Sequence, residues 1–412
     1  MIETSRHPPA EDGFRFARAM AAMSQSSLRE LMTRASRPGV LSFAVGLPAA
    51  ELFPVHELAE AGARVLPAEP GALQYAIPCA PLKRQIVDLM AARGVHCRPE
   101  QIFLTSGSQQ AMDLLTRLFL DPGGEVMLEE TVYDGAQMAV KLRAPNILAL
   151  PTGLARGLEV TAAAALLEGG ARPAFLYAIP SGHNPLGVSL DAGRRQALVE
   201  LARAFRVPVL EDDAYGFLNY DDDPPPPLRA LEERWVLYLG SFSKVLAPAL
   251  RAGWIVVPEE LVAHLSALKH ATDLDTPSFS HHLISAYLDQ GGFAAHLALL
   301  CREYRRRRDA MLAALTASFP PEVRWNRPAS GMFIWVELPE GADASDLLEL
   351  ALATESVAFT PGDAFAVGAS RHAAHCFRLC FTASPAERIE EGIHRLARAL
   401  AAYLAKSRAA RR

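Results

Sequence analysis

The sequence is poor in cysteine, in net charge and in long apolar runs, and each shortage excludes a class of protein. Five cysteines occur in 412 residues, without a CxxC pair or a spacing typical of metal ligands, so we expect reduced core thiols and no metal site. The formal net charge of -5 gives no reason to expect nucleic acid or an anionic membrane as a partner. No apolar run approaches the length of a membrane span, and the polar N-terminus lacks a signal-peptide pattern, which favours a cytoplasmic location.

The composition is that of a large globular protein. Hydrophobic residues make up 50% of the chain and charged residues 21%, which is ordinary for a folded domain. A chain of 412 residues is long enough for one large domain and a smaller one, each with its own core. The function must therefore be sought in motifs within the chain.

The most informative stretch is residues 240–253, GSFSKVLAPALRAG. It lies between apolar runs at 235–239 and 254–257, which predicts a polar loop joining two buried strands. Lys244 is unusual at such a place, because burial disfavours an ammonium group and lowers its pKa toward the neutral amine. A neutral amine is a nucleophile.

Hydroxyl and guanidinium groups surround this lysine in sequence. Ser241, Ser243 and Arg251 are the donors that a phosphate dianion needs, with the arginine supplying a two-pronged contact. A nucleophilic lysine beside phosphate donors indicates a Schiff base with a phosphorylated aldehyde, pyridoxal 5'-phosphate (PLP). On the alternative interpretation, Lys244 merely reaches solvent from a loop and Arg251 lies on a solvated face.

The extended pattern Ser-x-Ser-Lys-x-x-x-Pro-x-x-Arg-x-Gly resembles the Schiff-base segment of fold-type I, PLP-dependent aminotransferases. Within them it is similar to the class I and II branch that contains kynurenine and 2-aminoadipate aminotransferases. Further motifs follow in the family's order from about residue 26 to residue 400. The resemblance implies an α/β fold, with a mixed, mostly parallel seven-stranded sheet, helices on both faces, and a smaller α/β domain. It also implies a homodimer with shared active sites.

The domain organisation follows from this comparison. Residues 1–48 are expected to form an N-terminal arm and part of the small domain, with helical spacing of apolar positions between 14 and 35. Residues 49–295 are expected to form the large PLP-binding domain, and residues 296–412 the small C-terminal domain.

A second phosphate-binding element is predicted at residues 101–110. A short buried strand at 101–105 leads through SGSQQ into a helix, and the first amides of a helix have no internal partner and favour negative charge. Ser108 and Gln109 would offer those amides to the cofactor phosphate. The alternative is a capping serine without a ligand.

Other motif residues would hold the cofactor ring. Asp212 follows a predicted strand, at the end where parallel sheets bind ligands. The resemblance implies that Asp212 keeps the pyridine nitrogen protonated as an electron sink, that Asn184 and Tyr215 share the phenolate oxygen, and that Tyr133 stacks on the ring. Asp213 is expected to face away from the cofactor, in a solvated acidic loop.

The predicted substrate side consists of Gly46, Asn184 and Arg378. Arg378 is the one charge in an apolar strand, and because an unpaired buried guanidinium is costly, a carboxylate must meet it. The resemblance implies the α-carboxylate of the substrate; the alternative is an internal salt bridge. Residues 40–48, VLSFAVGLP, resemble a segment that passes close to this carboxylate, with Val45 replacing the first of two glycines and Gly46 kept.

One predicted ligand belongs to the neighbouring subunit. Leu73-Gln74-Tyr75 matches a family segment whose tyrosine reaches the partner's cofactor phosphate, so Tyr75 is a candidate cross-subunit ligand; the alternative is a packed aromatic. Residues 76–80, AIPCA, depart from the usual glycine-bearing turn, and Leu186 replaces the usual threonine after Asn184-Pro185. We expect these departures, with Val45, to cluster around the substrate side.

The leading functional prediction is transfer of the amino group of an L-amino acid to a 2-oxo acid, with Lys244, Asp212 and Tyr215 as catalytic residues. His183 is interpreted as a polar loop residue because Lys244 already provides proton transfer. Elimination, decarboxylation or oxidative deamination of a specialised amino acid would start from the same carbanion and stays an alternative. A DNA-binding regulator built on this fold needs a winged helix and a linker, and the roughly forty residues before Val45 are too few for both.

Overall fold

The computed structural model describes residues 14, 16, 17, 20, 35, 37–75, 78–221, 224–274, 276–368 and 371–410. The helix predicted in the N-terminal arm lies almost wholly outside the described residues, as do Ala76 and Ile77 of the departing segment after Tyr75. The described residues form layers of helices around several β-sheets.

The strands fall into two large groups along the chain, one before and one after residue 300. In chain order they are β1 (Leu41–Ser42), β2 (Ile102–Thr105), β3 (Glu125–Glu129), β4 (Asn146–Leu150), β5 (Thr152–Gly153), β6 (Gly157–Leu158), β7 (Leu176–Ala178), β8 (Val209–Asp212), β9 (Val236–Ser241), β10 (Gly253–Val256), β11 (Arg324–Trp325), β12 (Phe333–Glu337), β13 (Val357–Ala358), β14 (Thr360–Pro361) and β15 (Cys376–Cys380).

The largest sheet has seven strands in the order β2-β10-β9-β8-β7-β3-β4. Adjacent strands of this sheet pair in parallel, except that β10 runs antiparallel to both β2 and β9. The predicted mixed, mostly parallel sheet is therefore confirmed. Because β10 runs backwards, its first residue lies at the same edge as the last residues of the parallel strands, so the loop from β9 to β10 returns to this edge.

Both faces of this sheet are buried. Successive residues of one strand enter different apolar clusters: Leu237 packs in the larger cluster and its neighbour Val236 in the other. Helix Ser108–Phe119 contributes Leu114 and Leu115 to the first cluster, whereas helix Ala192–Phe205 contributes to the second. A mostly parallel sheet covered by helices on both faces leaves its inner strands without a solvent-facing side, which explains why β7 and β9 are buried along their whole length.

The smaller strands gather at the C-terminal part of the chain. The order β11-β12-β15-β14 forms a four-stranded antiparallel sheet, and β1 pairs in parallel with β13. Residues 41 and 42 thus join a strand from residues 357 and 358, which is consistent with an N-terminal contribution to the small domain. The boundaries at residues 48 and 295 stay predictions.

Helices connect the strands and cover the sheets. Within the described residues the α-helices are Val55–Ala68, Ala80–Ala91, Ser108–Phe119, Asp134–Lys141, Val160–Glu168, Ala192–Phe205, Leu228–Leu231, Val262–Asp273, Ser278–Leu288, Phe293–Ser318, Ala344–Glu355, Arg371–Ala374 and Ala386–Ala410. None of these described helices is long and apolar enough to cross a membrane.

Candidate active site

A cavity of about 230 Å³ opens at the edge of the seven-stranded sheet where its parallel strands end. Loops after β3, β7, β8 and β9 reach it, together with residues 44–46 and two strands of the smaller sheet. Predicted site residues from distant parts of the chain line this cavity. Its lining consists of Ala44, Val45, Gly46, Ser108, Tyr133, Ile179, Asn184, Asp212, Ala214, Tyr215, Lys244, Phe333, Phe365 and Arg378.

Lys244 lies in the loop after β9 and extends into this cavity. Its ammonium donates a hydrogen bond to the carbonyl oxygen of Gly46 at 2.9 Å. Burial lowers the pKa of Lys244 to about 8, and the positive charges of Arg378 and Arg251 act in the same direction. The amine is therefore nearer to its neutral, nucleophilic form at physiological pH than an exposed lysine.

Asp212 is the last residue of β8 and presents its carboxylate to the same cavity. Burial raises its pKa to about 6, while the hydroxyl of Tyr177 opposes this shift by donating a hydrogen bond to Oδ2 at 2.7 Å. The other oxygen, Oδ1, is buried and has no hydrogen-bond partner among the described residues. A buried acceptor without a donor is costly, so this oxygen is positioned for a donor from a bound group.

Tyr177 was not among the predicted site residues. It lies in the middle of β7, and its register partner in β8 is Leu210, two residues before Asp212. Alternation along a strand puts Leu210 and Asp212 on the same face, so Tyr177 is a diagonal neighbour of the carboxylate. A tyrosine inside an otherwise apolar strand was the available signal in the sequence. Its hydrogen-bond partner could be identified only once the order of the strands was known.

The carboxylate next to Asp212 has a purely internal partner. Asp213 faces away from the cavity as expected, but the predicted solvated loop is wrong: its side chain is buried, ion-paired with Arg93, and accepts a hydrogen bond from Tyr238 at 2.9 Å. The error arose because a run of acidic residues predicts exposure, whereas Arg93, far away in sequence, neutralises this charge inside the core.

Asn184, Tyr215 and Arg378 form a connected polar group on the cavity wall. Arg378 donates to Asn184 Oδ1 at 2.7 Å, and the amide nitrogen of Asn184 is 3.4 Å from the Tyr215 hydroxyl. Burial raises the pKa of Tyr215 strongly, so its phenol stays protonated and can donate. These three side chains can therefore present donors to one anionic oxygen in the cavity.

Arg378 meets no carboxylate among the described residues, so the predicted internal salt bridge is not found there. Its other nitrogen Nη2 donates to the Ala44 carbonyl at 2.7 Å, and its buried Nε has no hydrogen-bond partner in that part of the chain. The guanidinium lies 4.3 Å from the ring centre of Phe333 and 4.6 Å from that of Phe365. The two rings hold the charged plane flat and were not predicted as site residues.

The predicted phosphate donors gather beside one end of the cavity. Ser108 begins the helix Ser108–Phe119, after Gly107 with a φ of +84°, and Arg251 donates to the Ser106 carbonyl at 2.7 Å. This φ favours glycine, and a Cβ at Gly107 would stand 2.7 Å from Arg251 Nη2 and displace the guanidinium from the helix start. The remaining donors lie close by: Gln109 binds Gly135 and contacts the Tyr133 hydroxyl, and the Ser243 amide donates to Ser241 Oγ.

Three residues singled out from the sequence lie away from the cavity lining. Tyr75 is 81% exposed on this chain. His183 is buried, with Nε2 at 3.2 Å from a carboxylate oxygen of Glu129, as a polar residue outside the cavity. Leu186 packs in an apolar cluster with Trp335, so its expected place on the substrate side is wrong, whereas Val45 does line the cavity.

Comparison with known proteins defines the class. The family model described as aminotransferase class I and II matches residues 38–396, and the chain belongs to this family. It is 41% identical over 398 residues to a 2-aminoadipate transaminase of Thermus thermophilus, covering 95% of this chain and 97% of that protein. It is 38% identical over 390 residues to aromatic-amino-acid aminotransferase 1 of Thermococcus litoralis, covering 93% of each.

A solved structure agrees with this assignment. The alpha-aminoadipate aminotransferase LysN of Thermus thermophilus, complexed with N-(5'-phosphopyridoxyl)-L-leucine, superposes with a TM-score of 0.87 at 39% identity, over 95% of this chain and 98% of that one. The fold is that of the fold-type I aminotransferases, as predicted, and the protein is an aminotransferase.

The lowered pKa of Lys244 predicts that this residue destabilises the protein without cofactor. The penalty is full below pH 8, and it decreases as pH rises from 8 toward the ordinary lysine pKa of 10.5, because the unfolded chain then binds more protons than the folded one. Lys244→Met should raise the free energy of unfolding at pH 7 by about 3 kcal/mol at most. Urea unfolding of the cofactor-free proteins at pH 7 and pH 9.5 measures both quantities.

The control for that experiment is Lys83→Met, which changes a lysine whose pKa is also lowered by burial but which lies outside the cavity. It should change stability less than Lys244→Met does. A Lys244→Met protein that is less stable than the parent at pH 7 would contradict the argument.

Proposed function

We propose that this aminotransferase binds PLP covalently at Lys244 and transfers the amino group of an L-amino acid to a 2-oxo acid. The observation that carries the proposal is the position of a lysine of lowered pKa in one cavity with a buried carboxylate and a buried guanidinium. The family membership and the phosphopyridoxyl compound in LysN support the same cofactor.

The residues fit this cofactor at each of its polar ends. The orphaned Asp212 Oδ1 suits a protonated pyridine nitrogen, and Asn184 with Tyr215 suits the phenolate oxygen. Arg251 beside the helix start at Ser108 suits a phosphate dianion, since backbone amides, the helix dipole and a guanidinium all favour negative charge there. Tyr133 supplies a flat aromatic wall.

When bound, PLP supplies an aldehyde that captures amino groups and a pyridinium ring that accepts an electron pair. The chain's own contribution is the placement and protonation of its side chains. Lys244, with its lowered pKa, would be the base in the cavity and would move a proton from the substrate α-carbon and return it. Asp212, whose pKa of about 6 leaves it largely ionised at neutral pH, would keep the ring nitrogen of the cofactor protonated.

Arg378 would orient the substrate. Its Nε is a free donor in a buried site, and the rings of Phe333 and Phe365 prevent the guanidinium from turning away. An α-carboxylate bound there neutralises the buried charge and fixes the α-carbon relative to Lys244. Gly46 and Val45 border the same space, and Val45 narrows it where a second glycine would leave room.

We propose that the enzyme is a homodimer with shared sites. Tyr75 is 81% exposed and Leu73 68%, which is a large apolar exposure for two side chains of a segment that resembles a cross-subunit motif. A twofold interface would bury such a patch on both copies and bring each Tyr75 to the partner's phosphate donors.

The direct test is reduction of the purified, PLP-reconstituted protein with borohydride, followed by peptide mapping. The cofactor should be fixed to the peptide that contains Lys244, and Lys244→Ala should lose both the label and at least about a thousandfold of transaminase activity. Activity is measured with an amino-acid panel and a 2-oxo acid acceptor. Lys83→Met, a partly buried lysine outside the cavity, is the matched control and should retain label and activity.

Two results would overturn the proposal. One is a label on another lysine or no label at all. The other is turnover of the amino acid at an equal rate without the 2-oxo acid, because elimination needs no acceptor whereas amino-group transfer does.

Tyr177→Phe should weaken PLP binding in acid. The hydroxyl of Tyr177 lowers the pKa of Asp212, so removing it raises that pKa and leaves the carboxylate neutral at a higher pH. The affinity for PLP, measured by cofactor absorbance as a function of pH, should fall on its acidic side (the acidic limb) at a pH about one unit higher than in the parent.

The matched control is Tyr238→Phe, because Tyr238 is equally buried and donates to the neighbouring carboxylate of Asp213, which faces away from the cavity. It should leave the acidic limb unchanged. If both variants move the limb equally, Tyr177 acts only through the stability of the sheet.

Shared sites can be tested by mixing inactive subunits. Lys244→Ala and Tyr75→Ala are unfolded and refolded together; in a mixed dimer one site carries both changes and the other carries neither. An equal mixture should regain about a quarter of parent activity at limiting PLP, since half of the dimers are mixed and each has one intact site. Activity no higher than the average of the separate variants would show that Tyr75 does not serve the partner's site.

A further inference from the structure

A second cluster of chemically active side chains lies in the smaller sheet, outside the cavity. His372, His375 and Cys376 offer ligand atoms that all lie within 4.8 Å of one another. They come from the short helix Arg371–Ala374 and the start of β15, and the two imidazole rings are 4.8 Å apart between centres. Cysteine spacing alone predicted no metal site, because that pattern takes no account of histidines beside a single cysteine.

A carboxylate lies beside the cluster. Glu337, the last residue of β12, is the direct register partner of Cys376 in the antiparallel pair, so both side chains lie on the same face of the sheet. Glu337 Oε1 is 3.7 Å from His372 Nε2, while its other oxygen pairs with Arg324 at 2.8 Å. One carboxylate oxygen therefore faces His372, and the other is held by a guanidinium that is 75% exposed.

We propose that His372, His375, Cys376 and Glu337 form a binding site for a divalent metal ion of the zinc type. Two imidazoles, a thiolate and a carboxylate are four ligands of borderline softness, the set that Zn²⁺ prefers in tetrahedral coordination. Metal–ligand bonds of about 2.0–2.3 Å require ligand atoms about 3.4 Å apart. The ligand atoms of His372, His375 and Cys376, which lie within 4.8 Å of one another, must therefore approach by roughly 1 Å, and Glu337, 3.7 Å from His372, must turn toward them. Rotation of the exposed His372 side chain permits this.

Binding changes the charge of the cluster in a defined way. The Cys376 thiol, which now donates to the His372 carbonyl at 3.2 Å, gives its proton to solvent as the sulfur–metal bond forms. The thiolate and Glu337 then balance the two positive charges of the ion. Arg324 keeps its place on the outer carboxylate oxygen and orients it, as a hydrogen-bonded neighbour of a metal ligand does.

The site lies on the strand that carries Arg378. Cys376 is two residues before Arg378 in β15, about 7 Å along the strand, and shares an apolar cluster with Phe365, which also stacks on Arg378. A metal ion would hold the first residue of β15 to the end of β12 and to the helix Arg371–Ala374. Its direct effect is on the stability of the smaller sheet.

In the test, a chelator first removes metal from the holoenzyme, which is then titrated with Co²⁺. The readout is the visible absorption of tetrahedral cobalt, measured at wavelengths longer than the cofactor absorbance. We expect one Co²⁺ per chain, displaced by Zn²⁺. His372→Ala/His375→Ala should lower the affinity by more than about 100-fold, and Cys376→Ser should abolish the sulfur-to-metal charge-transfer band. Zn²⁺ should raise the thermal midpoint of the parent and leave that of the double histidine variant unchanged.

The control variants are Cys301→Ser and His394→Ala, which remove a thiol and an imidazole elsewhere and should leave the titration unchanged. Because Cys376 is buried, the Cys376→Ser variant can fail to fold. The double histidine variant then tests the proposal, since His372 is exposed and His375 half-buried and their replacement disturbs the core less. Binding below one ion per chain, the spectrum of octahedral cobalt, or equal affinity in the double histidine variant would each overturn the proposal.

Discussion

The desolvation of three charged groups in one small cavity is the constraint on which the rest of the structure depends. Lys244, Asp212 and Arg378 are each held where burial disfavours the charged form, and the pKa shifts of all three follow from it. Such a cavity is unfavourable for stability but suited to a ligand that carries the complementary charges. The orphaned acceptor on Asp212 and the orphaned donor on Arg378 mark where those charges are expected.

The topology of the large sheet creates this cavity. Parallel strands end at one edge, and the single reversed strand β10 brings the Lys244 loop back to that edge. The second wall comes from the smaller sheet, whose strands β12 and β15 carry Phe333 and Arg378. The site therefore requires both sheets in fixed relation, and any change that moves β15 moves the guanidinium that would orient the substrate.

Alternation along the strands separates neighbouring acidic residues into different roles. Asp212 faces the cavity beside Tyr177, and Asp213 faces the core beside Arg93 and Tyr238. Each carboxylate accepts a hydrogen bond from its own tyrosine, and the Oδ1 atoms of both lack a hydrogen-bond partner among the described residues, but of the two only Asp212 lines the cavity. The same principle puts Glu337 and Cys376 on one face of the smaller sheet, because register partners point the same way.

Local patterns in the sequence predicted individual strands, because apolar runs and turn residues carry their signal within a few positions. The family resemblance that begins at the Lys244 segment implied the mixed sheet and most of the cavity residues. Contacts between distant parts of the chain could not be predicted from local sequence patterns. The pairing of Tyr177 with Asp212, the internal partner of Asp213 and the aromatic faces around Arg378 depend on strand order and register. Tertiary structure decided them, because a hydrogen bond or an ion pair needs two groups within about 3–4 Å, and only folding sets that distance.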